Sequence, residues 1–487
     1  MIYLFSLIVI HTLRRKEMLP RTENYRIFPS VIPADKISEM TILAAERAFL
    51  PVDDAEYTIV ITPVDADEQN YHTPSNQAKL TIKAAGGVIR FEHKFAREQE
   101  HQIVLWREDK KLATFYVYSL FDDLYKLRPM RGDLHVHSFR SDGARDPAAL
   151  AGHYREQGYD FFALTDHNRF YPGGEIDEVY DGVKMGLLRI PGEEVHTPGS
   201  MVHIVHVGGK ESVTYRYVSN IEGYRSEISE YANNVPANVP DSIKERYAMA
   251  MWATDNIHKA GGLAIFPHPF WRPGGLIHNV NMEFSNLLLK SGMFDAYEVI
   301  GGMTRKENNQ SVNLWNDIRA QGYKINVVGS SDVHGIHNSI YFPCNFTICF
   351  AEDNSVDGVV KAVSNGYSVA VETTGVEYSS EFRAYGSFRL VNYAQYLLTH
   401  YFPKQTRLCE GEGTAMRAYS MGECTKELIE LNARLVEEHR QRFFGRLAPV
   451  LPDSAMLAFE DRWRKVHLEK GPVTRGSSIN PPITRQI

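Results

Sequence analysis

The sequence predicts an α/β protein in three parts, and the alternation of apolar runs is the main indication. Residues 19–128 contain short runs rich in β-branched residues, such as "YTIVITPV", separated by turn signals. Residues 129–375 alternate short apolar runs with helical stretches, which is typical of a parallel sheet or barrel. Residues 376–470 favour helix, and residues 471–487 favour a flexible tail.

The first part is expected to form a small, sandwich-like β domain. "AKLTIKAAGGVIRFEHKF" has two alternating runs around Gly86–Gly87, which predicts a hairpin. "HQIVLWREDKKLATFYVYSL" repeats this pattern around a charged turn. One helix is predicted before these strands, over "ADKISEMTILAAERAF". No catalytic constellation stands out in this part, so we expect an accessory or interaction domain.

In the second part, helical stretches precede apolar runs that end in polar residues. "DPAALAGHYREQGYD" precedes "FFALTDHN", "NIHKAGG" precedes "LAIFPHP", and "VNLWNDIRAQGYK" precedes "INVVGSSDVH". Barrels of this kind have their chemistry at the C-terminal ends of the strands. In the third part, Leu428, Leu431 and Leu435 share one helical face, which is expected to pack against the barrel.

Length and composition indicate an ordinary globular protein of two or three domains. The 487 residues are 43% hydrophobic and 23% charged, and the formal net charge of −7 argues against a strongly basic protein that binds duplex nucleic acid. None of the four cysteines forms a C-x-x-C pair, so we expect free thiols in a reducing compartment. The cysteines are Cys344, Cys349, Cys409 and Cys424.

The N-terminal stretch "MIYLFSLIVIHTLRRKE" is apolar over residues 1–18 but too short to span a bilayer. Its basic cluster follows the apolar run, and no A-x-A site comes after it, unlike a signal peptide. Two interpretations stay open: a short interfacial or signal-anchor segment, and a misassigned start with Met18 as the true first residue. We predict a cytoplasmic protein without a stable membrane span.

Histidines and acids follow the predicted strands in order. His135 and His137 form H-x-H, and strand alternation places both imidazoles on one face. The same holds for Asp332 and His334. The other candidates are Asp142 in "SDG", Asp166 and His167 in "TDH", Glu194 in "PGEE", His203 in "VHIV" and His268 in "PHP".

A metal site explains this order better than chance does. A lone histidine at a strand end is usually a solvated polar residue, but this many motifs in order would require as many coincidences. Imidazole with carboxylate suits Zn²⁺, Mn²⁺ or Fe²⁺, and the lack of thiolates argues against a purely structural zinc site.

Residues 129–340 resemble the PHP family, named for its occurrence in DNA polymerases and histidinol phosphatase. The matching pieces are H-x-H, S-D-G, T-D-H, P-G-x-E, H-I-V, a lone H-P and G-S-x-D-x-H. The resemblance implies a distorted, TIM-like (β/α)₇ barrel. It also implies two or three divalent metal ions (Zn, Mn, Fe or Mg) at the C-terminal face of the barrel.

The resemblance further implies nine ligands around three metal positions. The first ion would be held by His135, His137, Glu194 and Asp332. Glu194 would bridge to a second ion, held with His203 and His268. The third ion would be held by Asp142, His167 and His334. The family pattern selects Glu194 over Glu193, and the H-I-V context selects His203 over His206. Asp166 would orient a metal ligand, or contact a metal ion indirectly, without being a direct ligand itself.

The activity implied by the resemblance is hydrolysis of phosphate esters by a metal-activated water in a multinuclear site. The expected substrate is a nucleotide, another small phosphomonoester or a short oligonucleotide. Arg169 and Arg272 are the candidate phosphate-binding residues. Phe270 and Trp271, in the lid-like "FWRPGG", are candidates for stacking, and the substrate's edge is expected near Ser138–Arg140.

Three alternatives stay open. The first is a 5′→3′ exonuclease acting on DNA or RNA oligonucleotides. The second is a metal-dependent amidohydrolase, which would usually close with a lone aspartate and have a lysine ligand midway, where this chain has D-x-H and Glu194. The third is a non-enzymatic scaffold, which would be expected to lose ligands although all nine positions are filled here. The sequence indicates no oligomeric state.

Overall fold

The computed structural model describes residues 24–65, 76–336, 339–374 and 381–469. The predictions for the apolar N-terminal segment, for Met18 and for the C-terminal tail lie outside these residues. The chain divides into two compact units. The first contains the residues up to Phe121 and those from Arg442 onward, and the second is Asp122–Gln441.

The described residues of the first unit form eight strands in two sheets. They are β1 (Tyr25–Phe28), β2 (Val31–Pro33), β3 (Ile37–Ala44), β4 (Glu56–Pro63), β5 (Ala78–Lys83), β6 (Val88–Lys94), β7 (Gln99–Arg107) and β8 (Lys110–Leu120). The strand orders are β1-β3-β6 and β2-β8-β7-β4-β5. Met40 and Phe91 of the first sheet share one buried core with Ile59 and Ile103 of the second.

Two predictions for this unit were wrong. The predicted helix is strand β3, which pairs with both β1 and β6 and buries Met40 and Ile42. The hairpin predicted around Gly86–Gly87 does not form, because β5 pairs with β4 whereas β6 pairs with β3. The two glycines therefore connect the two sheets. The other predicted hairpin is present, as β7 pairs with β8.

The second unit is a mixed α/β body around a ten-stranded sheet. Its strands are β9 (Arg128–Val136), β10 (Phe161–Leu164), β11 (Leu188–His196), β12 (His203–Val207), β13 (Leu263–Phe266), β14 (Ala296–Ile300), β15 (Val327–Gly329), β16 (Asn345–Ala351), β17 (Ser368–Thr374) and β18 (Glu381–Tyr385). Their order is β15-β14-β13-β12-β11-β10-β9-β16-β17-β18. A parallel bridge between Val136 and Val333 joins the chain after β15 to the end of β9, so the sheet is nearly closed like a barrel.

Strand direction decides which residues meet at one edge of this sheet. β10 is parallel to both β9 and β11, and β14 is parallel to both β13 and β15. Only β12 of this set is antiparallel to its two neighbours, β11 and β13. The first residue of β12 therefore lies at the edge where β11 ends.

Helices connect these strands and then dominate the C-terminal region. They are α1 (Asp122–Tyr125), α2 (Pro147–Glu156), α3 (Pro172–Val179), α4 (Val213–Ser219), α5 (Ile221–Asn233), α6 (Lys244–Lys259), α7 (Met282–Lys290), α8 (Arg305–Ala320), α9 (Val356–Ser364), α10 (Phe388–His400), α11 (Phe402–Ser420), α12 (Lys426–Phe443) and α13 (Ser454–Glu469). Capping residues fix several helix starts: Asp146 accepts from Ala149 N in α2, and Thr304 with Glu307 forms a capping box in α8. No helix in the described residues has both the length and the apolar character needed to cross a bilayer.

The leucine face predicted to pack against the barrel is exposed in the structure. Leu428, Leu431 and Leu435 of α12 all face solvent, whereas Ile429 and Val436 are buried. The buried face of α12 is thus displaced by one residue, about 100° around the helix axis, from the face that the leucines mark.

Gly132→Ala is expected to lower the free energy of unfolding by about 1–3 kcal/mol, because β9 packs tightly on β10. A Cβ at residue 132 would lie 2.1 Å from Cε2 of Phe161. Gly174→Ala in α3 is the control, since nothing lies within 4 Å of its added Cβ and alanine favours helix. Urea unfolding followed by tryptophan fluorescence measures both variants. Equal unfolding midpoints for the two would contradict the tight packing.

Candidate metal centre

The H-x-H pair lies at the end of β9. His135 is the penultimate residue of the strand, and His137 follows its last residue. Both rings are buried, and their centroids are 5.1 Å apart. Asp332 reaches both histidines from the loop after β15: its Oδ1 lies 3.4 Å from His135 Nε2 and 3.0 Å from His137 Nε2.

Glu194 lies at the centre of the cluster. This buried residue of β11 has six imidazoles around its carboxylate, with nitrogen-to-oxygen distances between 2.6 and 3.6 Å. These imidazoles belong to His135, His137, His167, His196, His203 and His268. Since a carboxylate offers about four lone-pair positions, it cannot accept a hydrogen bond from all six.

The reversed direction of β12 explains how His203 joins the cluster. The sequence suggested a histidine at a strand end, but His203 is the first residue of β12. It is the register partner of His196, the last residue of β11, and the two rings stack with centroids 3.7 Å apart. Glu193 and His206 point to the opposite face and contact each other at 3.3 Å. The preference for Glu194 and His203 thus agrees with the strand geometry.

A second group of donors surrounds Asp142 in the loop after β9. Its Oδ2 lies 3.3 Å from His167 Nε2, and its Oδ1 lies 3.3 Å from His334 Nε2 and 4.0 Å from His137 Nδ1. Asp142 is exposed and His137 is buried, so this group lies at the mouth of the cluster. The structure therefore brings together the three residues predicted for the third ion and adds His137 to them.

All nine predicted ligands belong to overlapping groups whose donor atoms lie within 4.8 Å of one another. The residues predicted for the first ion are shared between two of these groups, both of which contain His135. The groups are His137–Asp142–His167–His334, His135–His137–Glu194, His135–His268–Asp332, His167–Glu194–His196 and Glu194–His203–His268.

The charges in the cluster favour ionised carboxylates and a neutral His203. Burial alone would raise the pKa of Glu194 and of Asp332, but the surrounding histidines hold both well below the usual value. Burial lowers the pKa of His203 to about 4, which leaves this imidazole with a free lone pair. Burial would also lower the pKa of His135, but Asp332 and Glu194 raise it well above its usual value. The cluster thus attracts positive charge, whether protons or cations.

Unpaired atoms show that the donor set fits metal ions. Six buried atoms of the cluster lack a partner at hydrogen-bond geometry among the described residues. They are His135 Nε2, both ring nitrogens of His137, Glu194 Oε2, His203 Nδ1 and His268 Nδ1. Leaving a buried polar atom unsatisfied costs about 1–3 kcal/mol. Because His135 Nε2 and His137 Nε2 lie 3.5 and 3.6 Å from Glu194 Oε2, a divalent cation between these atoms would satisfy several at once.

Backbone strain coincides with the cluster. Asp332 and His268 have positive φ values of 47° and 25°, and Asn168, which follows His167, has a φ of 53°. Non-glycine residues adopt such conformations only where the surrounding structure enforces them, and they concentrate at functional sites.

Buried carboxylates hold the ligand-bearing segments in place. Asp166 accepts hydrogen bonds from Ser138 N and Oγ and from Ser141 Oγ, which fixes the loop that contains Asp142. Asp166 belongs to none of the donor groups found in the described residues, so its position agrees with a supporting role. Asp133 accepts from Ser331 N at 3.1 Å and Oγ at 2.5 Å, which ties β9 to the segment before Asp332.

Two residues of the site were not predicted from the sequence. Glu298 of β14 has its Oε2 3.0 Å from His135 Nδ1, where it orients the ring that points Nε2 at Glu194 and Asp332. His196 has its Nε2 3.4 Å from Glu194. Signals existed for both: Glu298 is an acid inside the apolar run "AYEVI", and His196 follows Glu194 by two residues on a strand.

Some of the residues predicted to bind phosphate or to stack on a substrate are exposed and unpaired, whereas others are buried or already paired. Arg169 is exposed next to the cluster, and no carboxylate of the described residues pairs with it. Arg272 is engaged, since its Nε lies 3.0 Å from Glu307 Oε1. Phe270 is buried, so its predicted stacking on a substrate is wrong. Trp271 is partly exposed, with its ring centroid 5.9 Å from that of His268.

No protein-family model and no curated protein matches the chain. The similar solved structures include a two-domain protein from Bacteroides vulgatus that contains a predicted PHP-like metal-dependent phosphoesterase. The two are 18% identical, over 54% of this chain and 77% of that chain, with a TM-score of 0.33. An amidohydrolase from Chromobacterium violaceum, with bound sulfate and no metal, is 19% identical over 43% of this chain and 89% of that chain, with a TM-score of 0.28.

The structural neighbours include PHP-like proteins, the family that the motifs resemble. Similarities this slight assign no activity to the chain.

Glu298→Gln is expected to weaken divalent-metal binding by about 10–100-fold. The reason is that a neutral amide replaces the negatively charged carboxylate that contacts His135 Nδ1. Titration calorimetry with Mn²⁺ measures the affinity. Glu283→Gln removes an exposed acid at the start of α7 and serves as the matched control. If both variants bind Mn²⁺ as tightly as the wild type, Glu298 does not position a ligand.

Proposed function

We propose that this protein is a metal-dependent hydrolase of phosphate esters, with a multinuclear centre in a distorted (β/α)₇ barrel of the PHP type. The observation that supports this most strongly is the buried Glu194 carboxylate with six imidazoles around it. Nucleotides and other small phosphomonoesters are the proposed substrates.

The donor set supports more than one ion. Imidazole and carboxylate donors suit Zn²⁺, Mn²⁺ or Fe²⁺, and the donor groups found in the described residues contain no thiolate. The nine predicted ligands and His196 exceed the four donors of a single tetrahedral site. Glu194 belongs to three of these donor groups, so neighbouring ions would be close together.

Divalent ions bound in this cluster would lower the pKa of a water and offset the negative charge that develops on phosphoryl oxygens. The protein's own residues contribute position and charge. Glu298 and Asp166 hold His135 and the Asp142 loop in place, and the unpaired Arg169 is available to bind a phosphoryl oxygen. Ser138 and Ser141 donate their hydroxyls to Asp166, and water is the proposed nucleophile.

Two features favour a phosphate ester over an amide. The closing motif supplies both Asp332 and His334 to the cluster, and the donor groups in the described part of the chain contain no lysine contact with Glu194. Arg169 adds a fixed positive charge beside the donors, which suits a dianionic group better than a neutral amide.

The Mn²⁺-loaded protein is expected to hydrolyse phosphomonoesters, and His135→Ala is expected to lower kcat/KM more than about 100-fold, since ligand loss should exceed the effect of losing a supporting contact. His258→Ala, an exposed histidine at the end of α6, should stay within about twofold of the wild type. Phosphate release measures both variants.

The substrate panel contains small phosphomonoesters, bis-phosphonucleotides, 5′-phosphorylated oligonucleotides and simple amides. Metal analysis of the purified protein accompanies it. If no bound metal is found and no hydrolysis depends on His135, the proposed function is wrong. If only the oligonucleotides are hydrolysed, the protein is an exonuclease and not a phosphomonoesterase.

A further inference from the structure

An apolar cavity lies beside the metal centre. Its volume is about 440 Å³, within the range of small-molecule sites. Arg140 lines it from the Ser138–Arg140 segment, where the substrate's edge was expected. The other main lining residues are Asn168, Arg169, Phe170, Tyr171, Tyr215 and Val218.

Hydrogen bonds attach this cavity firmly to the metal centre. Asn168 directly follows His167, and its Oδ1 accepts from His196 N at 2.8 Å and from Tyr217 OH at 2.7 Å. Tyr217 belongs to α4, the same helix that supplies Tyr215 and Val218 to the lining. One wall of the cavity is therefore fixed to the residues beside two candidate ligands.

The start of α4 is fixed to the metal-binding strand as well. The carboxylate of Glu193 accepts hydrogen bonds from Ser212 Oγ at 2.9 Å and from Val213 N at 2.6 Å. Glu193 precedes Glu194 in β11, so the strand that holds the central carboxylate also anchors the helix that lines the cavity. A molecule bound to the cavity and to the metal centre at once would contact α4 and β11, which these hydrogen bonds hold at a fixed distance from each other.

The cavity exposes apolar rings that a monomeric protein would normally cover. Tyr171 is 70% exposed and Tyr215 is 60% exposed, and the half-buried Phe170 lines the same cavity. Exposed apolar patches of this kind mark ligand sites. Two polar lining groups are already engaged, since Asn168 Oδ1 accepts two hydrogen bonds and Ser212 Oγ donates to Glu193. Thr214 Oγ1, also in the lining, has no hydrogen-bond partner among the described residues. The rings of Phe170, Tyr171 and Tyr215 make up much of the remaining lining, which suits a bound ring.

Only one of the two arginines in the lining is available for an anion. Arg140 forms two hydrogen bonds with Glu175, at 2.8 and 2.9 Å, which neutralise it. Arg169 has no ion-pair partner among the described residues. Arg169 lines the cavity and follows the candidate ligand His167 by two residues in the sequence.

We infer that this cavity, which we call the ring pocket, binds the alcohol part of a phosphate ester whose alcohol bears an apolar ring system. The rings of Tyr171 and Tyr215 would contact the substrate's ring, and Arg169 would bind an oxygen of its phosphoryl group. This inference rests on the proposed function and names the substrate class of that site. It predicts that ring-bearing phosphoesters are preferred over alkyl and sugar phosphates.

Two phosphonates that cannot be hydrolysed test the ring pocket by binding alone. Titration calorimetry with the Mn²⁺-loaded protein is expected to show 2-naphthylmethylphosphonate binding at least about tenfold more tightly than methylphosphonate. Tyr215→Ala should remove most of this preference. Tyr323→Ala, which changes another exposed tyrosine outside the pocket, should keep it. Arg169→Gln should weaken both phosphonates alike, because both have the same anionic group.

Equal binding of the two phosphonates by the wild type, or a preference that survives Tyr215→Ala, would overturn the ring pocket. Hydrolysis of ethyl phosphate and of 2-(2-naphthyl)ethyl phosphate separates this failure from that of the proposed function. Equal kcat/KM for the two esters would reject the ring pocket and leave the phosphoesterase intact. A naphthyl preference in binding without any hydrolysis would reject the phosphoesterase and leave the ring pocket intact.

Discussion

The contact between one buried carboxylate and its ring of imidazoles is the interaction on which the rest of this site depends. Burying Glu194 away from water is costly unless positive charge or hydrogen bonds replace its hydration. Hydrogen bonds from the six imidazoles cannot all do so, because a carboxylate has about four acceptor positions, and His135 Nε2 and Glu194 Oε2 stay unpaired. Bound cations resolve both difficulties, since they neutralise Glu194 and accept the lone pairs of the histidines.

The fold brings these donors together through strand direction. The parallel strands β9, β10, β13 and β15 place their C-terminal residues at one edge of the sheet, and the reversed β12 adds its first residue, His203, to the same edge. Asp133, Asp166 and Glu298 then tie the ligand-bearing segments to one another. His268 and Asp332 also have positive φ values, which are uncommon for residues other than glycine.

Much of the site was predictable because strand alternation and motif order are local properties. H-x-H follows strand alternation, and the family pattern selected Glu194 over Glu193. The expectation that Asp332 and His334 share a strand face was wrong, because β15 ends at Gly329 and both residues lie in the loop after it. Glu298 was not predictable in this way, since its partner His135 is 163 residues away. The spacing of Ile37, Met40 and Ala44 fits a helix, but pairing on both edges makes that segment a strand. In α12, tertiary packing buries Ile429 and Val436 rather than the leucines.

The central claim is that these donors hold divalent metal ions, and anomalous scattering tests it most directly. Crystals grown with Mn²⁺ and measured near the manganese absorption edge show the ions independently of any activity. Two or three peaks are expected, at about 2.0–2.2 Å from donor atoms of His135, Glu194 and Asp332 and their neighbours. An ordered cluster without an anomalous peak, or with peaks only elsewhere on the protein, would contradict it.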